Sequence, residues 1–360
     1  MSAAGTRPST RAWLEAELTT AWLHRGPLAC ALWPVSLLYR GLVALRRLAY
    51  RLRLMPSVRL ARPVLIVGNR IAGGAGKTPT VIALIAHLQA QGWRPGVVSR
   101  GHGRSEHGLV AVTSTTPPRA AGDEPLLIRL RSGAPVVVGA DRVAAARALL
   151  IAYPQVDVVV ADDGLQHLRL QRDVEVVVFD ARGAGNGWLL PAGPLREPLT
   201  ASSGAAASLL LYNAPAPSTP LPGFTTQRGL TGAVALDDWW HGLPALSAGL
   251  AALCGRPLWA CAAIAQPQAF FALLSAHGLT FEALVLADHA TFDVLPWPAH
   301  AADVIVTEKD AVKLSPERVA RERPATRVWV APLDFSPEPA FLAALDAALA
   351  PHRGVVRAEG

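Results

Sequence analysis

Two short stretches carry residue types suited to handling phosphate. The first is Gly73-Gly-Ala-Gly-Lys-Thr-Pro79, the end of a longer run that begins Gly68-Asn-Arg-Ile-Ala. Gly73, Gly74, Ala75 and Gly76 leave room for backbone N–H groups to close around phosphate oxygens, and a helix starting at Lys77 adds the positive end of its dipole. Lys77 would reach the β- and γ-phosphates, Thr78 would place its hydroxyl on Mg²⁺, and Pro79 completes the motif. The strict P-loop pattern asks for glycine five residues before Gly76, where this chain has Ile71; the Gly-Gly-Ala-Gly-Lys-Thr core still points to nucleotide binding. The second stretch, Val158-Val-Val-Ala-Asp-Asp-Gly164, is an apolar strand ending in Asp162 and Asp163. A carboxylate at a strand's C-terminal edge beside a phosphate loop is the Walker-B arrangement, and either aspartate could meet the metal. Gln166 and His167 follow and could face the same cleft. The spacing of Thr307-Glu-Lys-Asp310 does not fit a guanine-reading motif, and Leu165 stands where a GTPase switch has glycine, so ATP is favoured over GTP.

Such groups need a rigid frame, and the hydrophobic pattern supplies one. Residues 63–68, 95–99, 135–139, 156–161 and 174–179 are short apolar runs read as buried strands, with 208–212 a possible further one. Helical patterns at 77–91, where Val81, Leu84, Ile85 and Leu88 share a face, and at 141–152 lie between them. This alternation predicts an α/β fold of the P-loop NTPase type, a parallel sheet covered on both faces. Four prolines within 214–223 read as a linker or domain boundary. Beyond it, strand-like runs at 258–264, 281–286, 304–307 and 327–330, with helices at 268–277 and 339–350, suggest a second, smaller α/β domain. The expected division is 1–60 as a membrane-associated helical segment, 61–225 as the kinase domain and 226–360 as a smaller domain closing the cleft.

The charge distribution separates the first segment from the rest. The net charge is +7, yet residues 1–62 hold ten arginines and two glutamates, so the remainder is close to neutral. A nucleic-acid enzyme more often spreads its basic residues over folded domains, so no nucleic-acid partner is expected. Residues 26–39 are uncharged and mostly apolar, and as a helix would span ~21 Å, short of a ~30 Å hydrocarbon core. Pro34 would kink that helix. After Arg40, leucines alternate with Arg46, Arg47, Arg51 and Arg53 in an amphipathic pattern, and Trp13, Trp22, Trp33, Tyr39 and Tyr50 could sit at headgroup level. Interfacial membrane binding is the reading these residues favour over a packed core or dimer helix, a true span, or a signal peptide, for which no cleavage site follows. Cys30, Cys254 and Cys261 form no CxxC pair, which argues against a disulfide framework or structural zinc and for a reducing compartment.

Taken together the motifs resemble a known family. In order they are Gly68-Asn69, Gly73 to Pro79, Ser99-Arg-Gly-His-Gly-Arg104, Gly122-Asp-Glu-Pro125, Ala161-Asp-Asp-Gly-Leu-Gln-His167, Gly185-Asn-Gly-Trp-Leu-Leu-Pro-Ala-Gly-Pro-Leu-Arg-Glu197, Asp288-His289 and Thr307-Glu-Lys-Asp-Ala-Val-Lys313. The series is similar to the tetraacyldisaccharide 4′-kinases of Gram-negative bacteria over nearly the whole chain. The resemblance implies transfer of the γ-phosphoryl of ATP, with Mg²⁺, to the 4′-hydroxyl of an acylated glucosamine disaccharide 1-phosphate, giving lipid IVA. It implies a monotopic enzyme on the cytoplasmic face of the inner membrane, with no obligate protein partner. It further implies that Asp123 is the base, partnered by His289, and that Lys77 binds phosphate. Thr78, Asp162, Asp163 and Glu197 would surround the metal, and Arg142, Gln166, His167 and Arg196 the phosphates or substrate. Read from the residues alone, Asp123 is a helix-cap acid and His289 a loop residue. This chain departs from the family at Ile71, for a hydroxyl residue; at His102, for tyrosine; and at Ala265, for glycine. A P-loop switch ATPase shares the loop and the membrane segment, but it usually carries a second lysine early in the loop, where this chain has none. A non-catalytic scaffold would not need Lys77, Asp162 and Asp123 together.

Overall fold

A computed structural model describes residues 17–200 and 204–353; Trp13 and the first basic residues of the N-terminal segment lie outside them. The strands are β1 (Val64–Gly68), β2 (Pro95–Ser99), β3 (Val110–Val112), β4 (Val136–Val138), β5 (Val158–Asp162), β6 (Val174–Asp180), β7 (Ala207–Asn213), β8 (Phe224–Leu230), β9 (Val234–Ala235), β10 (Leu258–Ala262), β11 (Glu282–Val285), β12 (Asp303–Thr307), β13 (Arg327–Ala331) and β14 (Leu333–Pro337). The helices used below are α1 (Pro27–Arg51), α2 (Lys77–Ala90), α3 (Asp123–Ser132), α4 (Arg142–Ala152), α5 (Pro267–Ala276), α6 (Glu308–Ala311) and α7 (Pro339–Leu349).

Nine strands form one sheet in the order β14-β8-β7-β6-β1-β5-β2-β4-β3, and five form another in the order β11-β10-β12-β13-β9. In the large sheet β1, β2, β4, β5, β6, β7 and β8 run parallel, while β3 and β14 are antiparallel edge strands. β1, β2, β5 and β6 are buried at every position because helices cover both faces, which is why they read as unbroken apolar runs. α2 buries Thr80, Val81, Leu84, Ile85 and Leu88, the face expected from periodicity. β1 and β5 are neighbours, so the loop after β1 and the carboxylates ending β5 emerge side by side.

Three features differ from the sequence expectations. The proline-rich stretch 214–223 connects β7 to β8, adjacent strands of the same sheet, and is no domain boundary. Proline stops helix and strand alike, so it marks a crossover as readily as a linker. The division at 225/226 falls inside β8, and the chain later returns to the large sheet through β14, paired with β8 from Thr226 to Leu230, and through α7. Phe341, Leu345 and Leu349 of α7 are buried in the main core, and Asp346 meets His87 of α2 at 2.9 Å. The β8–β14 ribbon therefore joins the two sheets. Finally, 26–39 and the arginine-rich stretch after it form one 25-residue helix, α1, which runs through Pro34.

Candidate active site

The phosphate loop is built by glycine geometry. Gly76 caps α2 with φ +82° and no side-chain cap, so the first N–H groups of α2 face the cavity uncapped. A Cβ at Gly76 would lie 1.7 Å from Asn213 Nδ2, which donates to Ala75 O at 3.2 Å. Asn69 Nδ2 donates to Gly73 O at 2.9 Å, and Arg182, forked onto Asp180, donates to Gly74 O at 2.7 Å. Lys77 Nζ donates to Asn69 Oδ1 at 3.3 Å and lies 3.6 Å from Asp163. Thr78 and Pro79 line the same cavity. Ile71 is buried in the apolar cluster with Phe179 and Leu195, turned into the core. Ala265 lies against Gly74 from the second sheet: a Cβ on Gly74 would be 3.3 Å from its methyl.

The two aspartates after β5 are in different states. Asp162 is buried; its Oδ2 accepts from Ser99 Oγ at 2.9 Å, while Oδ1 has no partner. Burial, with the nearby Glu124 and Asp163 charges, pushes its carboxyl up to about 7. Asp163 has φ +50°. Burial alone would raise its pKa, but Lys77, Arg196 at 3.4 Å and Arg142 outweigh that and hold it below the usual carboxylate range. Arg142 is buried, donates to Gly139 O at 2.7 Å, and is brought down to about 10 by burial against the pull of both aspartates. His167 is brought down to about 4 by burial and by the Arg142 and Arg100 cations. Gln166 Nε2 donates to Glu197 Oε1 at 3.1 Å and reaches Asn69 O at 3.4 Å, and the other Glu197 oxygen pairs with Arg47 of α1. Among the described residues no three His, Cys, Asp or Glu side chains converge into a ready-made metal cage. A site of hydroxyl and carboxylate completed by substrate phosphates is how Mg²⁺ is usually held.

Across the cleft, Asp123 opens α3 after Gly122 at φ +91°, and His289, at φ +62°, follows β11. His289 Nδ1 lies 3.5 Å from Asp123 Oδ2. Lys309, from α6, was given no role from sequence. Its Nζ is 3.3 Å from Glu124, 3.4 Å from Asp288 and 3.3 Å from His289 Nε2. An ammonium can only donate. Nε2 is then the acceptor and the imidazole proton sits on Nδ1, facing Asp123. Burial works against the Lys309 charge, but Glu124 and Asp288 outweigh it and raise its pKa. The signal was available: a lysine inside Thr307-Glu-Lys-Asp310, opposite the acidic Gly122-Asp-Glu-Pro125 and Asp288-His289 stretches. His102 brings its ring to 5.5 Å from that of His289. A cavity of about 570 Å³ lies between the sheets, lined by the phosphate loop, Glu124, Lys309 and an apolar wall including Phe270, Leu273 and Phe335.

A parallel sheet whose first strand feeds a glycine-rich loop, with acids ending the adjacent strand and a second sheet across the cavity, defines a P-loop phosphotransferase. The chain belongs to the tetraacyldisaccharide-1-phosphate 4′-kinase family, whose model matches residues 28–350. It is 68% identical over 351 residues to a tetraacyldisaccharide 4′-kinase of Methylibium petroleiphilum, covering 98% of each chain. A second such kinase, from Leptothrix cholodnii, is 54% identical over 94% of this chain and 97% of its own. The fold matches LpxK from Aquifex aeolicus, solved in complex with ATP, with TM-score 0.72 and 25% identity over 90% of this chain and 99% of that one. The enzyme is an ATP-dependent kinase that phosphorylates the lipid A precursor at the 4′ position.

Proposed function

We propose that Asp123 is the base of this transfer and that the cleft between the sheets holds both substrates. The observation that carries the reading is the Asp123–His289 pair, set beside the Glu124 and Lys309 side chains that line the phosphate-loop cavity, with the imidazole proton turned toward the carboxylate. Asp123 accepts the proton of the 4′-hydroxyl as that oxygen bonds to the γ-phosphorus and the bond to the β-phosphate oxygen breaks, releasing ADP. His289 orients the carboxylate, and Lys77 leaves Asn69 and Asp163 to meet the nucleotide phosphates. Glycines 73, 74 and 76, with Ala75, Thr78 and Pro79, form the cradle.

The residues present fit Mg²⁺. The buried Asp162 Oδ1 lacks a partner, and its carboxyl is pushed up to about 7 by burial and by the Glu124 and Asp163 charges, against the pull of Lys77. Thr78, Asp162, Asp163 and Glu197 are the residues that would hold the ion, which when bound neutralises charge on the transferring phosphoryl group. Arg142, Arg196, Gln166 and His167 line the acidic edge of the site and suit phosphate or sugar contacts.

The acceptor is an acylated glucosamine disaccharide 1-phosphate, and we place the enzyme at the cytoplasmic face of the bacterial inner membrane as a peripheral protein. α1 exposes Leu38, Leu42 and Leu45 at 72%, 66% and 64%, while its other face is bonded to the kinase domain, which suits lying at the interface rather than crossing it. The three free cysteines suit a reducing compartment. The test is transfer from γ-labelled ATP to tetraacyldisaccharide 1-phosphate in detergent with Mg²⁺, with Lys77→Ala as control. Label in a bis-phosphorylated lipid, absent from the control, is the expected result; ATP hydrolysis without labelled lipid would overturn the reading in favour of a switch ATPase.

A further inference from the structure

The face of α1 opposite its exposed leucines makes a run of polar bonds, all to one part of the protein. Ser36 Oγ donates to Leu189 O at 2.8 Å and accepts from Ala192 N at 2.9 Å. One turn on, Tyr39 OH donates to Arg196 O at 2.9 Å. Two turns further, Arg46 donates to Gln166 O at 3.2 Å and Arg47 pairs with Glu197. Every one of these partners belongs to the 189–197 segment or to Gln166, beside the phosphate site. Such spacing places them on a single helical face.

The Arg47–Glu197 pair is the ion pair among these contacts. Its side chains are only 14% and 9% exposed, and a charge so far from water needs its partner. From Glu197 the contacts continue through Gln166 at 3.1 Å to Asn69 at 3.4 Å, whose own side chain holds Lys77 at 3.3 Å. A second line runs from Tyr39 through the Arg196 backbone; the Arg196 guanidinium then meets Asp163 at 3.4 Å, and Asp163 lies 3.6 Å from Lys77. Without Arg47 the Glu197 carboxylate loses its directly paired cation and keeps only the more distant Arg70 and Arg172 charges, at a site that must admit a polyanion. It then has cause to draw Gln166, and with it Asn69, out of register.

We propose that Arg47 is a positioning residue for phosphoryl transfer, and that α1 is therefore a strut of the active site as well as a lipid-seated surface. This rests on the assignment of the cleft as the kinase site. A helix that only moored the protein would need the leucine face and a few surface charges; it would not need a buried guanidinium locked to an active-site carboxylate. The two faces of α1 thus tie the seating of the helix at lipid to the register of the phosphate loop.

The test uses the full chain as wild type, Arg47→Ala, Arg47→Lys, Glu197→Gln and the Arg47→Ala/Glu197→Gln double variant. Binding to vesicles of phosphatidylglycerol and phosphatidylethanolamine, thermal unfolding, and kcat and KM for ATP and lipid acceptor are measured on each. Arg47→Ala is expected to bind vesicles as wild type does, because the leucine face is intact, and to lose roughly 10–100-fold in kcat, the usual cost of removing a residue that orients a metal-site or catalytic carboxylate. The acceptor KM stays put. Arg47→Lys restores part of the loss by returning the charge, and Arg47→Ala adds little to Glu197→Gln because the two act as a unit. Turnover of Arg47→Ala within about twofold of wild type, a loss that follows release from vesicles, a loss matched by unfolding with no rescue by lysine, or full additivity with Glu197→Gln would each overturn the proposal. A wild-type protein with no transfer activity would overturn the kinase-site reading instead.

Discussion

Lys309→Met removes one cation from a point where three groups meet, and the consequences can be sized. The ammonium is 3.3 Å from Glu124 and 3.4 Å from Asp288. A unit pair at that distance is worth about 1 kcal/mol in a water-like dielectric and about 5 kcal/mol at an effective dielectric of 20. The side chains are 19%, 26% and 36% exposed, so the net cost to stability belongs near the lower figure, about 1–2 kcal/mol. The kinetic effect has a separate origin. With the ammonium gone, nothing obliges His289 Nε2 to be an acceptor, so the ring is free to turn its proton away from Asp123. A carboxylate that has lost its orienting N–H is held less precisely against the acceptor hydroxyl, and kcat should fall by roughly 10-fold or more, the usual cost of losing a partner that orients a functional side chain. The KM for ATP should stay within about twofold of wild type. The assay is kcat and KM for both substrates in wild type, Lys309→Met and Lys309→Arg, with thermal unfolding alongside; arginine returns a donor and should restore part of the loss. A kcat equal to wild type, with only a lowered unfolding temperature, would refute the reasoning and leave Lys309 as a clamp between the two sheets.

Three further outcomes follow from the same geometry. Asp123→Asn should lower kcat by ~10²–10⁴-fold with little change in the nucleotide KM, since a base acts mainly in the transition state; steady-state kinetics with both substrates decide it, and a change confined to the ATP KM would remove the base assignment. His167 is held near 4 when folded, against an ordinary value near 6.5. Below 6.5 the unfolded chain binds a proton that the folded chain refuses, so the nucleotide-free protein should lose about 1–2 kcal/mol of stability as pH falls from 6.5 to 4, after allowance for its partial exposure; His167→Gln should flatten that part of the curve in urea unfolding, and an unchanged slope would contradict it. Replacing Leu38, Leu42 and Leu45 together by serine should weaken vesicle binding by ~10²–10³-fold at unchanged thermal stability, because these side chains are exposed; co-sedimentation with vesicles is the measurement, and full retention would reject the lipid-facing assignment.

The parts of the site legible in the sequence are those where local chain chemistry alone dictates the outcome. β1 and β5 are buried on both faces, so their apolar runs stood out, and the loop and acids attached to their ends came with them. β3, β8 and β14 are edge or ribbon strands with mixed exposure, and their residues give no comparable signal. The crossover at 214–223 misled because proline reports only where regular structure stops, not what the flanking strands do next. Asp123 and His289 lie 166 positions apart and could be paired only through resemblance, since nothing local in either stretch specifies a partner. Lys309 and Arg47 were missed for the same reason in a sharper form: each is one charge among many in sequence, and each acquires its meaning only when the fold sets it against a particular carboxylate. What the fold adds beyond the motifs is therefore the set of counter-charges. Asp162 is left without one at Oδ1, which suits a divalent cation, while Asp163, Glu124 and Glu197 are each given a basic partner. A site organised this way leaves open the one carboxylate oxygen proposed above to meet the metal first and sets a cation against each of the other acids, so that a nucleotide carrying several negative charges meets net attraction rather than a ring of acids.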